Sequence, residues 1–186
     1  FSNPFYKDFV LPIGRLREHR KAAKRADIII VTKCPKDLNP ALEIEIKKRI
    51  RFYSSATISF TNITYEGLIN HHNKTTSLDT KKKYLLVTSI ANPDFIYEYL
   101  NENKVQFTAK KYRDHHNFTK TQIQEVINIS GQYDAIITTE KDWMRLKETE
   151  LVNTLSLDIL RLRMKMEFIH SKENLKFKDQ IISLIK

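Results

Sequence analysis

Three adjacent residues, Asp114, His115 and His116, place a carboxylate next to two imidazoles. A carboxylate beside a histidine fixes the imidazole tautomer and raises its basicity, which is the arrangement that proton transfer requires. The same residues also fit two histidines on a polar surface loop, because the motif is short. We call residues 112–119 the histidine loop.

The flanking sequence predicts where the histidine loop lies. Apolar and polar residues alternate from 105 to 109, the period of a half-buried strand. After the loop, Thr119 and Gln122 have the spacing of a capping box and precede an amphipathic helix. The loop therefore leaves the carboxyl end of a strand, the edge where open α/β sheets collect ligands.

Two further strand ends carry polar residues. The apolar run 84–90 is followed by Asn92, a good helix cap, and the run 134–139 is followed by Glu140 and Lys141. Because parallel strands end at one edge of a sheet, we predict that Asn92, His115 and Glu140 lie along the same edge.

Composition limits the class of protein. The chain has 186 residues, 41% hydrophobic and 29% charged, which is typical of a globular protein with one good core or two small ones. Cys34 is the single cysteine, so disulfides and cysteine metal sites are not expected. The formal net charge of +10 predicts an anionic partner: nucleic acid, a phosphorylated metabolite or an anionic lipid surface.

Positive charge is dense between Arg15 and Arg25, which we predict to be a short helix. Its Arg17, Arg20, Lys21 and Lys24 have the i, i+3, i+4, i+7 spacing of one helix face. Arginines at this density can hold phosphate through bidentate hydrogen bonds. A solvated basic face has the same pattern.

The order of elements predicts an α/β fold with two lobes. The β-branched run 27–33, a helix from Asn39-Pro40 and a short strand at 56–60 form a strand–helix–strand unit, which assigns residues 1–60 to a first lobe. Residues 61–83 are polar and predict a linker able to form a two-stranded ribbon. The runs in residues 84–186 predict a second lobe of the same α/β class, with a Rossmann-like parallel sheet.

Several catalytic motifs are absent from this sequence. With three glycines, it contains no phosphate-binding G-x-x-x-x-G-K-[ST] loop and no G-x-G-x-x-G. His71 and His72 have no third ligand at a recognisable spacing, so no metal site is predicted.

Five stretches in order carry a family resemblance. They are Leu11-Pro12-x-Gly14-x-Leu16-Arg17-Glu18, residues 25–33, Ile90-Ala91-Asn92-Pro93-x-Phe95, Asp114-His115-His116-x-Phe118-Thr119, and Thr138-Thr139-Glu140-Lys141-Asp142. Together they resemble the C-terminal half of the tetraacyldisaccharide 4′-kinases, the lipid A 4′-kinases.

The resemblance implies a fold and an activity. It implies the end of a P-loop-type kinase lobe, a β-ribbon and a second α/β/α lobe. It also implies transfer of the ATP γ-phosphate, with Mg²⁺, to the 4′-hydroxyl of a lipid-linked disaccharide 1-phosphate. The implied location is peripheral, on the cytoplasmic face of the bacterial inner membrane. The partners are that lipid, ATP and the anionic membrane surface, with no nucleic acid.

The resemblance also implies roles for residues. His115 is similar to the histidine of the family's catalytic Asp-His dyad, whose aspartate lies in the N-terminal lobe. Asp114 and His116 would then be orienting or structural residues. Arg15, Arg17 and Glu18 correspond to a substrate-binding region. The implied sheet-edge or nucleotide-binding residues are Asn92, Glu140 and Lys141.

The sequence departs from the family pattern in two respects. The phosphate-binding loop and the acidic Mg²⁺ site are not in this chain, so ATP and Mg²⁺ are expected to bind mainly to a missing N-terminal lobe. The fragment alone is therefore expected to be inactive. Ser89 also stands where relatives often have glycine.

Two alternatives to the kinase remain. The letters Asp114-His115-His116 also suggest a DHH-type metal-dependent phosphoesterase, although the further aspartate ligands of that chemistry are not evident. Net charge alone suggests a nucleic-acid-binding module, for which no known motif is present.

Overall fold

A computed structural model describes residues 1–114, 116–150, 154 and 157–185. The chain divides into two compact units: unit 1 is Phe1–Thr64 with Met166–Lys186, and unit 2 is Tyr65–Lys165. Strands and helices alternate in both units, so the predicted α/β class is confirmed. The division differs from the predicted lobes at the C-terminal end, because residues 166–186 group with the N-terminal residues.

Unit 1 contains the predicted strand–helix–strand unit. Strand β1 (Ile28–Cys34) pairs in parallel with β2 (Thr57–Ile69), and α1 (Pro40–Arg51) connects them. The Asn39 side chain accepts a 2.8 Å hydrogen bond from the backbone of Ala41, capping α1 as its sequence predicts. The unit also contains the last helix, α5 (Ser171–Ile185).

The segment predicted as a helix from Arg15 to Arg25 is different in the structure. Only Arg20–Arg25 is helical, as a 3₁₀ helix. The prediction is wrong for residues 15–19 because the backbone of Leu16 is already bonded: its N–H donates to Phe9 O at 3.0 Å and its carbonyl accepts from Leu11 N at 2.8 Å. Arg17 therefore does not share a helix face with the later cations.

Unit 2 is built on four parallel strands in the order β5-β4-β6-β7. The strands are β4 (Lys83–Thr88), β5 (Gln106–Lys111), β6 (Ala135–Thr139) and β7 (Asp158–Phe168). The helices are α2 (Asp94–Glu102), α3 (Lys120–Ser130) and α4 (Glu140–Leu146).

Helices cover both faces of this sheet. Tyr84 and Leu86 of β4 join one buried cluster that includes Leu100 of α2. The alternate residues Leu85 and Val87 join a second cluster that includes Val126 of α3. This two-residue alternation puts neighbouring side chains on opposite faces, and a strand buried on both faces is apolar throughout.

A short hairpin occupies part of the predicted linker. The end of β2 pairs antiparallel with β3 (Thr75–Thr76), through Leu68 with Thr76 and Ile69 with Thr75. Strand β2 is longer than its predicted form, since it continues from residue 57 to 69 rather than ending at 60. Gly67 in this strand has a φ of 93°, a conformation that side chains rarely adopt.

Candidate functional site

The carboxyl edge of the unit 2 sheet collects the loops singled out by the sequence. Strands β4, β5 and β6 are adjacent and parallel, and they end at Thr88, Lys111 and Thr139. The histidine loop begins against β4, where Tyr112 N donates a 2.8 Å hydrogen bond to Thr88 O. Asn92, the histidine loop and Glu140 thus all follow strands that end at this edge.

Asp142 is the buried polar centre of this edge. Its side chain is 0% exposed, and its carboxylate accepts hydrogen bonds from Thr88 Oγ1 at 3.1 Å, Ser89 N at 2.9 Å and Thr139 Oγ1 at 2.9 Å. Ser89 Oγ donates a further short hydrogen bond to it. Burying a carboxylate is costly unless it is hydrogen-bonded, and these donors provide that compensation. Asp142 thereby ties the ends of β4 and β6 together.

Arg145 connects this buried centre to the histidine loop. Its Nη1 donates to Ser89 Oγ at 3.2 Å and to the carbonyl oxygen of His116 at 3.4 Å. The same nitrogen lies 3.8 Å from Asp142 Oδ1, an ion pair one helical turn apart. Nη1 carries two N–H donors, so this single nitrogen can bond both Ser89 and His116.

A second cation contacts the loop on its other side. Lys141 Nζ lies 3.0 Å from Asp114 Oδ1, and both side chains are partly exposed. Such an exposed pair contributes little to stability. Its importance is geometric, because it joins two of the predicted site residues that are 27 positions apart in the sequence.

The histidine loop is packed by its own aromatic residues. The rings of Tyr112 and His116 stack at 5.3 Å between centroids, and Phe118 meets both edge-on. His116 Nε2 lies 2.6 Å from Gln122 Oε1, and Gln122 also completes the predicted capping box with Thr119. Burial raises the pKa of the Tyr112 phenol. The ring contacts and the Gln122 contact together hold the His116 side chain in place.

His115, the residue with the strongest predicted role, lies outside the described residues. Its two neighbours are both described. Asp114 is bonded by Lys141 and the carbonyl of His116 is bonded by Arg145, so the chain is anchored on each side of position 115.

Asn92 and Glu140 are the other two residues predicted to lie at this sheet edge. The Asn92 side chain accepts a 2.8 Å hydrogen bond from Asp94 N at the start of α2, a local turn contact. Helix α2 begins at Asp94, so the residue directly before it is Pro93 and not the predicted cap Asn92. Glu140 is the exposed first residue of α4.

The predicted substrate-binding residues lie in unit 1, and two of them are already paired. Arg15 Nε lies 3.0 Å from Asp8 Oδ2, and Glu18 is bonded to Arg25. Hydrogen bonds from the backbone of Phe9 and from Arg15 hold the pKa of Asp8 below its ordinary value. Arg17 is exposed and forms no hydrogen bond or ion pair with the residues that the structure describes.

The sequence by itself predicts no role for Asp142, Arg145 or Ser89. A signal for Asp142 existed in Thr139-x-x-Asp142, a helix-capping spacing, and Thr139 Oγ1 does accept from Asp142 N at 3.0 Å. The contacts with Ser89, 53 positions away, have no such local signal.

Within the described ranges, no group of three or more His, Cys, Asp or Glu is placed to hold a metal ion. None of the helices in this part of the chain combines the length and apolar character that crossing a membrane requires.

The fold and the polar edge define a parallel-sheet α/β protein with its candidate site at the carboxyl ends of the strands. A sequence profile of the family described as tetraacyldisaccharide-1-P 4′-kinase (LpxK) matches residues 1–185. The chain belongs to this family, which confirms the resemblance drawn from the five stretches.

Individual relatives agree with the family match. The tetraacyldisaccharide 4′-kinases of Flavobacterium johnsoniae and Flavobacterium psychrophilum are 36% and 35% identical to this chain over its whole length. The chain spans about half the length of these relatives, 53% of each. A solved structure of LpxK from Aquifex aeolicus, in complex with ATP, has a TM-score of 0.60 at 18% identity and covers 97% of this chain and 49% of its own. At that identity the likeness concerns the fold.

Proposed function

We propose that this chain is the C-terminal part of a lipid A 4′-kinase, which transfers the γ-phosphate of ATP to the 4′-hydroxyl of tetraacyldisaccharide 1-phosphate. Family membership supports this activity over the phosphoesterase that Asp114-His115-His116 also suggested. The observation that carries the site assignment is the contact of Lys141 and Arg145 with the histidine loop.

Phosphoryl transfer needs positioned reactants, neutralised charge and activation of the attacking hydroxyl. In our proposal His115 takes part in removing the proton from the 4′-hydroxyl, with Asp114 orienting the loop around it. Lys141 and Arg145 restrain the backbone on either side of His115, because a base acts only within hydrogen-bond reach of its proton. Asn92, Glu140 and Lys141 line the same edge.

The described residues do not by themselves fit ATP with Mg²⁺. They include no cluster of carboxylates arranged around a cation and the sequence has no phosphate-binding loop. We therefore propose that the part of the relatives beyond this chain holds both. The enzyme would act on the cytoplasmic face of the inner membrane, where its lipid substrate and an anionic surface are present.

A phosphate-transfer assay tests the proposed function. Joined to a P-loop half from a close relative, the chain is expected to phosphorylate tetraacyldisaccharide 1-phosphate with labelled ATP, and mass spectrometry should place the new phosphate at the 4′ position. The chain alone is expected to leave ATP unchanged. Metal-dependent hydrolysis of a phosphodiester without kinase activity, or turnover of ATP by the chain alone, would contradict the proposal.

Arg17 is the predicted substrate-binding residue that remains without a partner among the described residues, so it is the best site for a charge reversal. We expect Arg17→Glu to raise KM for the lipid substrate by about 10- to 100-fold, the value of one charge-assisted hydrogen bond to a phosphate. Steady-state kinetics of the joined enzyme measure this change. Lys36→Glu, also an exposed cation of unit 1, is the matched control. Equal KM values for the two variants would show that Arg17 is a solvated side chain that does not bind the substrate.

A further inference from the structure

An exposed group of apolar side chains projects from the N-terminal part of unit 1. Phe9, Leu11 and Ile13 are 60%, 58% and 86% exposed. They alternate with Val10 and Pro12 within five residues, so their exposed surfaces are concentrated in one short segment. We call these three side chains the apolar tip. A group of exposed apolar side chains rimmed by polar residues is typical of protein or membrane interaction sites.

The turn that carries the apolar tip is held by its own backbone. Leu11 N donates to Leu16 O at 2.8 Å, Leu16 N donates to Phe9 O at 3.0 Å, and Gly14 N donates to Val10 O at 3.2 Å. A Cβ at position 14 would lie 2.2 Å from Phe9 O, so the turn requires glycine there. Backbone hydrogen bonds and Gly14 therefore fix the conformation of the turn that carries the apolar tip.

Cations follow the apolar tip directly. Arg20 links these cations to the apolar tip. Its Nε donates to Asp8 O at 2.7 Å, and its guanidinium lies 4.8 Å from the centre of the Phe9 ring. Lys21 and Lys24 of the 3₁₀ helix are exposed and form no hydrogen bond or ion pair with the described residues. Their charges are therefore not neutralised by contacts within the described chain.

Unit 1 also carries most of the net charge. It contains 17 Lys and Arg against nine Asp and Glu, a balance of +8, while unit 2 contains 15 against 13, a balance of +2. The asymmetry matters because the charge lies on the unit that presents the apolar tip. An anionic partner would be attracted to that unit rather than to the molecule as a whole.

We propose that the apolar tip and the adjacent Lys21 and Lys24 form a docking surface for an anionic lipid bilayer. The apolar side chains enter the boundary between headgroups and acyl chains, while the lysines face lipid phosphates. Stable interfacial binding generally needs two signals of this kind, apolar insertion and basic charge. The proposal deepens the membrane partner of the proposed function, and it is testable without any catalysis.

Vesicle sedimentation tests the docking surface. The chain is mixed with vesicles of phosphatidylglycerol and phosphatidylethanolamine, or with vesicles of phosphatidylcholine, and the bound fraction is measured at rising salt. We expect binding to the anionic vesicles that weakens as salt screens the lysines. The variants Leu11→Asp/Ile13→Asp and Lys21→Glu/Lys24→Glu should each lose at least about tenfold in partition coefficient.

Two control variants test whether a loss of vesicle binding is specific to the docking surface. Ile44→Asp changes an equally apolar side chain of the same unit that is 67% exposed, and Lys81→Glu/Lys82→Glu reverses two exposed lysines of unit 2. Both controls should bind vesicles like the unaltered chain, and circular dichroism should show that all variants are folded. Loss of binding in the controls to the same extent would overturn the proposal.

Other occupants of the apolar tip give different outcomes. If the tip mediates contact with a second copy of the chain, analytical ultracentrifugation will show a dimer that Leu11→Asp/Ile13→Asp dissociates, with no vesicle binding by either form. That result, or an absence of binding to anionic vesicles, overturns the proposal. Neither result would bear on the proposed kinase activity, which the phosphate-transfer assay tests separately.

Discussion

His115→Ala is expected to lower kcat of the joined kinase by roughly 10²- to 10⁴-fold, the usual contribution of general acid–base catalysis. KM for the lipid should change far less, because a group that moves a proton acts mainly in the transition state. Steady-state kinetics with varied lipid and saturating ATP measure both quantities.

His116→Ala is the matched control for that experiment. His116 stacks on Tyr112 and contacts Gln122, so its loss should loosen the histidine loop and cost stability more than catalysis. The expected order of kcat is therefore unaltered enzyme, then His116→Ala, then His115→Ala far below. If His116→Ala were the more damaging change, the catalytic position would be assigned one residue too early. If neither mattered, the loop would have no catalytic role.

Asp142→Ala is expected to reduce the free energy of unfolding of unit 2 by about 3–5 kcal/mol, because several donors lose a charged acceptor at about 1–3 kcal/mol each. The change removes the acceptor of buried donors on Thr88 and Ser89 and of a partly buried donor on Thr139. Urea denaturation followed by fluorescence measures the loss, since the single tryptophan, Trp143, is the next residue in α4.

Two variants separate the buried network from the helix that carries it. Glu140→Ala changes an exposed carboxylate of the same helix turn and should stay within about 0.5 kcal/mol of the unaltered chain. Asp142→Asn keeps the shape and one acceptor oxygen, and should cost about 1–3 kcal/mol. Equal stability of Asp142→Ala and Glu140→Ala would show that the network does not hold the edge together.

Local patterns gave correct predictions where local bonds decide the structure. The capping box of Thr119 and Gln122 is present, and so is the Asn39 cap of α1, because each depends on residues at most three positions apart. The apolar run of β4 predicted a strand covered on both faces, and the two clusters around Leu85 and Leu86 are those faces. The periods and spacings of such patterns can be read directly from the sequence.

The N-terminal turn shows where a local pattern is overruled. The spacing of Arg17, Arg20, Lys21 and Lys24 suits a helix, yet Leu16 bonds back to Phe9 and Leu11. A helix through Leu16 would have to break those two hydrogen bonds, and helices shorter than about 12 residues have little stability of their own. The turn therefore forms instead of the longer helix, and only Arg20–Arg25 is helical in this segment.

The sequence alone determined the α/β class, the position of the histidine loop after a strand, and the family through its five stretches. Only the tertiary structure decided that Asp142 binds Ser89, that Arg145 reaches His116, and that Lys141 pairs with Asp114. These partners come from different strands and loops, and they meet because parallel strands end side by side. A contact between residues far apart in the chain leaves no period or spacing in the sequence, so folding alone brings the site together.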